Sequence, residues 1–314
     1  MQKPPGVMIL DQDASDYLPH LATLVRDGVE LSTATTAASA RTAWAGQPVV
    51  LGQPDLVAAV LEDLPGVRWV QSTWAGVTPL LELGRRDFLL TGVKEVFGPQ
   101  MAEYVLGVLL ARELKLAERQ GHQDRRSWWP ADSGSLQDKT LGIMGTGSIG
   151  GCVAALAAAF GLRVIGCSRS GESVPGFERV FPIERLDEFL PLVDYLVSVL
   201  PATPGTDGLL DAQAFRVMRT HCCLVNVGRG NVIDETALEE ALRQGRIAGA
   251  VLDVFRQEPL PADSPLWDTP GLTVTAHVAA KSHPPGIAHI FIENYNRYVA
   301  GQPLLHSIDF ERGY

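Results

Sequence analysis

Three short segments of the sequence carry the side chains best suited to chemistry. They are Asn226-Val227-Gly228-Arg229-Gly230, Leu252-Asp253-Val254-Phe255-Arg256-Gln257-Glu258-Pro259-Leu260 and Thr275-Ala276-His277-Val278-Ala279-Ala280. Each follows an apolar run that reads as a strand, so each presents an ionisable group at a strand end. An arginine, a carboxylate and a histidine together suit the reduction of a 2-keto acid. Planar guanidinium matches the bidentate hold that the substrate carboxylate needs. Imidazolium can protonate the carbonyl oxygen near neutral pH, and a neighbouring carboxylate orients the ring and favours its charged form. The hydride of such a reaction comes from a nicotinamide.

A nicotinamide requires a dinucleotide site, and Leu141-Gly142-Ile143-Met144-Gly145-Thr146-Gly147-Ser148-Ile149-Gly150 has the form of one: an apolar strand, then G-x-G-x-x-G, then a helix. Gly145 permits the tight turn, Gly147 lets backbone approach a pyrophosphate, and Gly150 lets the helix pack on the strand. The N–H groups of the helix start, from Thr146 and Ser148 to Ile149, face the phosphates. The alanine-rich run Gly151 to Phe160 and the apolar Leu162 to Cys167 complete a strand–helix–strand unit of about thirty residues. Roughly twenty residues beyond the glycine loop, where an NAD site places an acid for the ribose 2′-hydroxyl, the chain has Ser168-Arg169-Ser170-Gly171. No carboxylate stands there and Ser168 and Arg169 could bind a 2′-phosphate, so NADP(H) is favoured over NAD(H).

Each of these features has a plainer reading alone. The glycine loop could be a turn in another α/β domain, Arg229 a turn residue between glycines, Glu258 a solvated cap before proline. Their succession in one chain is what argues for chemistry.

The elements that must position these groups follow a βα rhythm. Asp194–Val199, Leu224–Val227, Ala248–Leu252 and Leu272–Thr275 read as strands and Asp211–Met218 and Glu235–Arg243 as helices, which predicts a doubly wound parallel sheet. Upstream, Val7–Leu10, Val49–Gly52 and Arg68–Gln71 read as strands and Asp16–Arg26 and Asp55–Leu64 as helices of a smaller α/β unit. In that unit Trp74, Ala75 and Gly76 lie in a loop after a strand, where α/β proteins bind ligands. Phe97-Gly98-Pro99 introduces a helix from Gln100 to about Gln120, Gly121 to Lys139 is a polar connection carrying Trp128-Trp129, and Gly286 to Val299 is a last helix.

At 314 residues the chain is long for one core, and two domains are expected. A net charge of −10 argues against nucleic acid and anionic membranes as partners. The longest clean apolar run, Tyr104 to Ala111, is too short to span a bilayer. The N-terminus passes from Met1-Gln2-Lys3-Pro4-Pro5-Gly6 straight into a strand rather than a leader, so the chain reads as soluble and cytoplasmic. Cys152, Cys167, Cys222 and Cys223 show no ligand spacing; they read as reduced, packed thiols, and no metal site is expected.

The glycine loop, Asn226-Val227-Gly228-Arg229-Gly230 with Asp234, Glu235 and Leu238 after it, the Asp253-Val254-Phe255 and Glu258-Pro259-Leu260 block and His277 together resemble the D-2-hydroxyacid dehydrogenase family, in order and spacing, over about Gly98 to Ala280. Ser168-Arg169 and the Trp74 loop resemble its glyoxylate/hydroxypyruvate reductase branch. The resemblance implies a Rossmann nucleotide domain over 98–284 and a flavodoxin-like substrate domain over 1–97 completed by the C-terminal helix of 285–314. It implies reduction of small 2-keto acids to D-2-hydroxy acids with NADPH. Arg229 would anchor the substrate, His277 act as acid/base with Glu258 as its partner, Asp253 hold the nicotinamide carboxamide and Thr206 lie near the cofactor's ribose or phosphate. The backbone of Trp74, Ala75 and Gly76 would meet the substrate carboxylate, and a homodimer would form through Gly98 to about Lys139. The alternative is a nucleotide-sensing, corepressor-like scaffold on the same fold. A formate-type dehydrogenase fits less well, because Glu258 supplies the histidine partner of hydroxyacid enzymes. Arg256-Gln257, Thr78 and His283-Pro284-Pro285 depart from the pattern, and the choice of 2-keto acid stays open.

Overall fold

Short aliphatic runs such as Val7–Leu10, buried on both faces, form strands that pair in parallel in the computed structural model, which describes residues 3–311. The chain divides into two units, Met1–Val96 with Ser282–Tyr314, and Phe97–Lys281. These junctions, 96/97 and 281/282, compare with the 97/98 and 284/285 expected from the sequence.

In the first unit β1 (Val7–Leu10), β2 (Leu31–Ala34), β3 (Val49–Gly52), β4 (Trp69–Ser72) and β5 (Leu89–Thr91) lie in the order β2-β1-β3-β4-β5. This is the flavodoxin-like order, which changes direction between β1 and β3. Trp69 is fully buried, stacks on Phe291 of the helix Pro284–Val299 with centroids 5.3 Å apart, and donates its Nε1–H to Thr91 Oγ1 at 2.8 Å. The C-terminal helix is thereby part of the core of this sheet.

The second unit holds β6 (Thr140–Met144), β7 (Arg163–Ser168), β8 (Arg179–Pro182), β9 (Tyr195–Ser198), β10 (Cys223–Asn226), β11 (Gly249–Leu252) and β12 (Leu272–Val274). Their order is β12-β11-β10-β9-β6-β7-β8, all parallel. The winding reverses between β6 and β9, the doubly wound arrangement of dinucleotide-binding domains. Alternate residues separate onto two cores: Met144, Leu196, Leu224 and Leu252 on one face, Ile143, Val197, Val225 and Val251 on the other.

Some expected helices are broken. Asp16–Arg26 is two short α-helices, Ala14–Tyr17 and Ala22–Arg26, joined by a 3₁₀ turn at Leu18–Leu21, because Pro19 lacks the N–H that a continuous helix needs. Asp55–Leu64 is a helix at Pro54–Ala58 and a 3₁₀ turn at Leu61–Asp63. The long helix runs only over Gly98–Glu113; Lys115 takes a left-handed φ of 53° and a second helix, Leu116–Asp124, starts after it. All four cysteines are free, and burial pushes the Cys167 and Cys222 thiols up to about 12, away from thiolate reactivity. Among the described residues no helix is long and apolar enough to cross a membrane.

Candidate active site

The three motif segments leave the carboxyl ends of neighbouring strands β10, β11 and β12. Asp253, the first residue beyond β11, is buried and fully hydrogen-bonded. Its Oδ1 accepts from Thr275 Oγ1 at 2.6 Å and from the Val278 N–H at 2.9 Å, and its Oδ2 from the Ala279 N–H at 3.0 Å. Its carbonyl accepts the His277 N–H at 2.8 Å. Because Thr275 donates to Asp253, the Tyr104 hydroxyl, 2.7 Å away, donates to Thr275. His277 itself has φ +54°, a left-handed conformation that a non-glycine residue adopts only when its surroundings impose it.

From that turn His277 places Nδ1 2.7 Å from Glu258 Oε2, while Glu258 Oε1 accepts the Phe255 N–H at 2.9 Å. Burial raises the Glu258 carboxyl, but the hydrogen bonds from His277 and Phe255 and the positive charges of His277 and Arg229 outweigh it and hold it below its ordinary value. Glu258 therefore stays a carboxylate. With Nδ1 engaged, Nε2 is the ring nitrogen open to a substrate.

Arg229 is half-buried, and burial pushes its guanidinium down from its ordinary value while the Glu258 charge opposes this. Its turn is braced by Asn226, fully buried, whose Nδ2 donates to the Arg229 carbonyl at 3.0 Å and whose Oδ1 accepts the Gly228 N–H at 3.2 Å. A Cβ on Gly230 would lie 1.9 Å from the Phe255 carbonyl carbon. Only glycine lets the Arg229 turn press against the segment that bears Glu258, which is why this arginine is flanked as it is.

On the other side of the winding reversal, Gly145 turns at φ +103°, and a Cβ on Gly150 would sit 2.0 Å from the Gly145 carbonyl oxygen. Gly147 caps the helix Ser148–Ala159 without a side-chain acceptor, and a Cβ there would meet nothing within 4 Å. An uncapped helix start with open space before it fits a pyrophosphate. Thr146 and Ile149 lie in the same turn and helix start. Ser168, the last residue of β7, accepts the Gly171 N–H on Oγ at 3.2 Å, and Arg169 is exposed on that turn. Thr206 closes its own loop, donating to the Pro201 carbonyl at 2.7 Å and accepting the Thr203 N–H at 3.0 Å.

Arg256, whose meaning the sequence left blank, has a structural explanation. Its Nε donates to the Ile233 carbonyl and its Nη2 to the Asn231 carbonyl, both at 2.9 Å, and Asn231 O also accepts the Gly208 N–H at 2.8 Å. It ties the loop of Thr206 to the segment that follows Arg229. Asn226, Thr275, Tyr104 and Arg256 are residues to which sequence reasoning gave no role; Asn226, Arg256 and Thr275 lie inside the motif segments, whereas Tyr104 carried no local signal. Trp74, Ala75 and Gly76 belong to the first unit, where Ser72 Oγ accepts the Trp74 N–H at 3.0 Å and donates to the Trp74 carbonyl at 2.7 Å.

Residues 106–279, more than half of the chain, match the family model of the D-isomer specific 2-hydroxyacid dehydrogenase NAD-binding domain. The chain belongs to this 2-hydroxyacid dehydrogenase family. Its glyoxylate/hydroxypyruvate reductase branch is represented among the relatives by glyoxylate/hydroxypyruvate reductase A of Escherichia fergusonii, 35% identical over 217 residues, 69% of this chain and 70% of the relative. Among solved structures, a D-isomer specific 2-hydroxyacid dehydrogenase family protein from Aeromonas salmonicida matches with a TM-score of 0.93 and 41% identity, covering 98% of this chain and 99% of the other. The NADPH-dependent glyoxylate/hydroxypyruvate reductase of Sinorhizobium meliloti, solved with NADP and sulfate, matches with a TM-score of 0.86 and 31% identity over 99% of this chain and 100% of the other. As a member of the 2-hydroxyacid dehydrogenases the protein is an NAD(P)-dependent oxidoreductase, and its second unit is the Rossmann-type nucleotide-binding domain of that family.

The depressed Glu258 carboxyl makes a prediction about stability. A carboxylate held below its ordinary 4.5 adds stability that is complete above that pH and is lost as the pH falls through the folded value. Thermal melts of the wild type and Glu258→Gln should differ at about pH 5 and converge as the pH falls below the ordinary carboxylate range. A difference that does not change with pH would show that the pair is not held by charge.

Proposed function

We propose that the protein reduces small 2-keto acids of the glyoxylate/hydroxypyruvate type to D-2-hydroxy acids with NADPH. The observation that carries this reading is the His277–Glu258 pair at 2.7 Å, with Arg229 close enough for its charge to act on Glu258. The names of the Escherichia and Sinorhizobium relatives and the NADP bound in the latter support it.

In this mechanism Arg229 binds the keto acid through its carboxylate and the neighbouring carbonyl oxygen, aided by backbone N–H groups of the Trp74–Gly76 loop. Glu258 holds His277 by Nδ1 and stabilises its imidazolium, so that Nε2 carries the proton to the carbonyl oxygen. Bound NADPH supplies the hydride that completes the C–H bond. Asp253 would meet the nicotinamide carboxamide at the base of the His277 turn. The Gly145–Gly150 loop would hold the pyrophosphate, Thr206 the adjoining ribose or phosphate, and Ser168 and Arg169 the 2′-phosphate that separates NADPH from NADH. The same reading takes the protein as a cytoplasmic homodimer paired through residues 98–139. Trp128, 93% exposed on that segment, fits a surface covered by a second copy.

Following the absorbance of reduced nicotinamide with a panel of 2-keto acids tests the activity; no turnover with any of them would end the reading. His277→Ala should lower kcat by about 10²–10⁴ while NADPH binding persists, because only the proton donor is lost. Undiminished turnover would remove His277 from the mechanism. Arg169→Ala should raise the KM for NADPH roughly tenfold or more and leave that for NADH nearly unchanged, and equal effects on both would refute the phosphate role. Sedimentation equilibrium should give the mass of two chains; a monomer at working concentrations would refute the pairing.

A further inference from the structure

The first unit buries a carboxylate that this reduction does not use. Asp11 is the first residue beyond β1, an inner strand beside the change of direction in the sheet, and Thr73 is the first beyond β4. Both are buried, and Thr73 Oγ1 donates to Asp11 Oδ2 at 2.8 Å across 62 residues of sequence. The other oxygen, Oδ1, accepts the Asp13 N–H at 3.0 Å.

As a device for stability this is a poor choice. The charges acting on Asp11 come from Asp13 and Asp55, both negative, and burial pushes its carboxyl up despite the two hydrogen bonds. Beside it the Tyr17 hydroxyl is buried too, against the same Thr73 side chain and under the negative charge of Asp11. An unfavourable polar cluster kept inside a well-packed unit marks a place where something other than stability is served.

What it serves is visible in Thr73. Its N–H donates to the Gly52 carbonyl at 3.0 Å, its carbonyl accepts from Ser282 Oγ at 2.7 Å, and its hydroxyl is taken by Asp11. Every polar group of this residue is fixed by a different segment of the chain, and the next residue is Trp74. The direction in which the N–H groups of Ala75, Gly76 and Val77 point is set by the backbone that leaves Thr73. Of its three tethers, the one to Asp11 is the only one made by a side chain of Thr73 itself.

We propose that Asp11 is a positioning residue that sets the loop Trp74–Val77 through the Thr73 hydroxyl, and so determines how tightly the carboxylate of a 2-keto acid is held. The proposal rests on reading that loop as part of the substrate site. A displacement of about 1 Å in groups that orient a substrate is enough to change turnover substantially. Neither side chain needs to touch the substrate.

The test compares Asp11→Ala, Asp11→Asn, Thr73→Val and Thr73→Ser with the wild type. Steady-state kinetics with glyoxylate and NADPH is run beside hydrogen exchange of the peptides spanning residues 69–80 and of those covering β1 and β3. Asp11→Ala and Thr73→Val should raise the KM for glyoxylate roughly tenfold, with a smaller change in kcat and none in the KM for NADPH. Thr73→Ser keeps the hydroxyl and Asp11→Asn an acceptor, and both should stay within about threefold of the wild type. Exchange should quicken in the loop and not in β1 or β3. An unchanged glyoxylate KM in folded Asp11→Ala or Thr73→Val overturns the proposal, as does failure of Thr73→Ser to behave like the wild type. If the wild type reduces no 2-keto acid while loop exchange still responds to Asp11 and Thr73, the substrate reading falls and the anchor stands.

Discussion

The turn at His277 depends on one buried carboxylate. Its left-handed φ of +54° would relax in a free peptide, and it is kept because Asp253 accepts hydrogen bonds from both sides of it. Thr275 lies before the turn, and Val278 and Ala279 lie after it; their donors converge on two oxygens of one side chain, while the Asp253 carbonyl takes the His277 N–H. A carboxylate surrounded by three donors is a strong and directional constraint in a low-dielectric interior. The ring is thus aimed by its own backbone before Glu258 touches it. Glu258 then has a narrower task, fixing the rotation and tautomer of an imidazole whose position is already set.

Parallel pairing explains why these groups meet at all. In an all-parallel sheet every strand ends on the same edge, so residues that follow β10, β11 and β12 become neighbours although 24 residues separate Asp253 from Arg229 and 24 more separate it from His277. Close strand-end turns must then pass one another. The Arg229 turn does so by presenting Gly230 to Phe255, and the first turn of the nucleotide loop by presenting Gly150 to the Gly145 carbonyl. Arg256 adds the tie between the loops after β9 and β10 that parallel pairing alone does not supply. Arg229, His277 and the Gly145–Gly150 loop therefore share one rigid frame.

Those features that could be read from the sequence were the local ones. Gly145–Gly150, the Arg229 turn, the Glu258 block and His277 each carry their signal within ten residues, and the long βα units of the second domain show clear periodicity. What escaped was of two kinds. Short or partly polar elements lacked a pattern: β2 at Leu31–Ala34, β5 at Leu89–Thr91 and β8 at Arg179–Pro182 have too few apolar residues to stand out, and Lys115 gives no warning that it ends a helix. Contacts between distant residues had no signal at all. Nothing in Tyr104 points to Thr275, 171 positions away, and nothing in Asp11 points to Thr73. Such pairs exist only after the sheet has formed, because the sheet is what brings their strand ends together.

Charge imposes a last requirement on the site. The chain carries a net charge of −10, whereas dinucleotides and 2-keto acids are anions, so the averaged field of the protein opposes their approach. At physiological ionic strength that field is screened beyond about 8 Å, and affinity must come from donors within a few ångströms of the ligand. On the proposed reading those donors take forms that do not depend on net charge: the uncapped start of the helix Ser148–Ala159 and the half-buried guanidinium of Arg229. Burial works in the same direction, because a guanidinium partly removed from water has less solvation to give up when a carboxylate arrives. Glu258 tempers Arg229 without occupying it, since its two oxygens are committed to His277 and the Phe255 N–H. An acidic protein can thus bind acidic ligands as long as the cation at its site is desolvated in advance and the nearest carboxylate is already engaged.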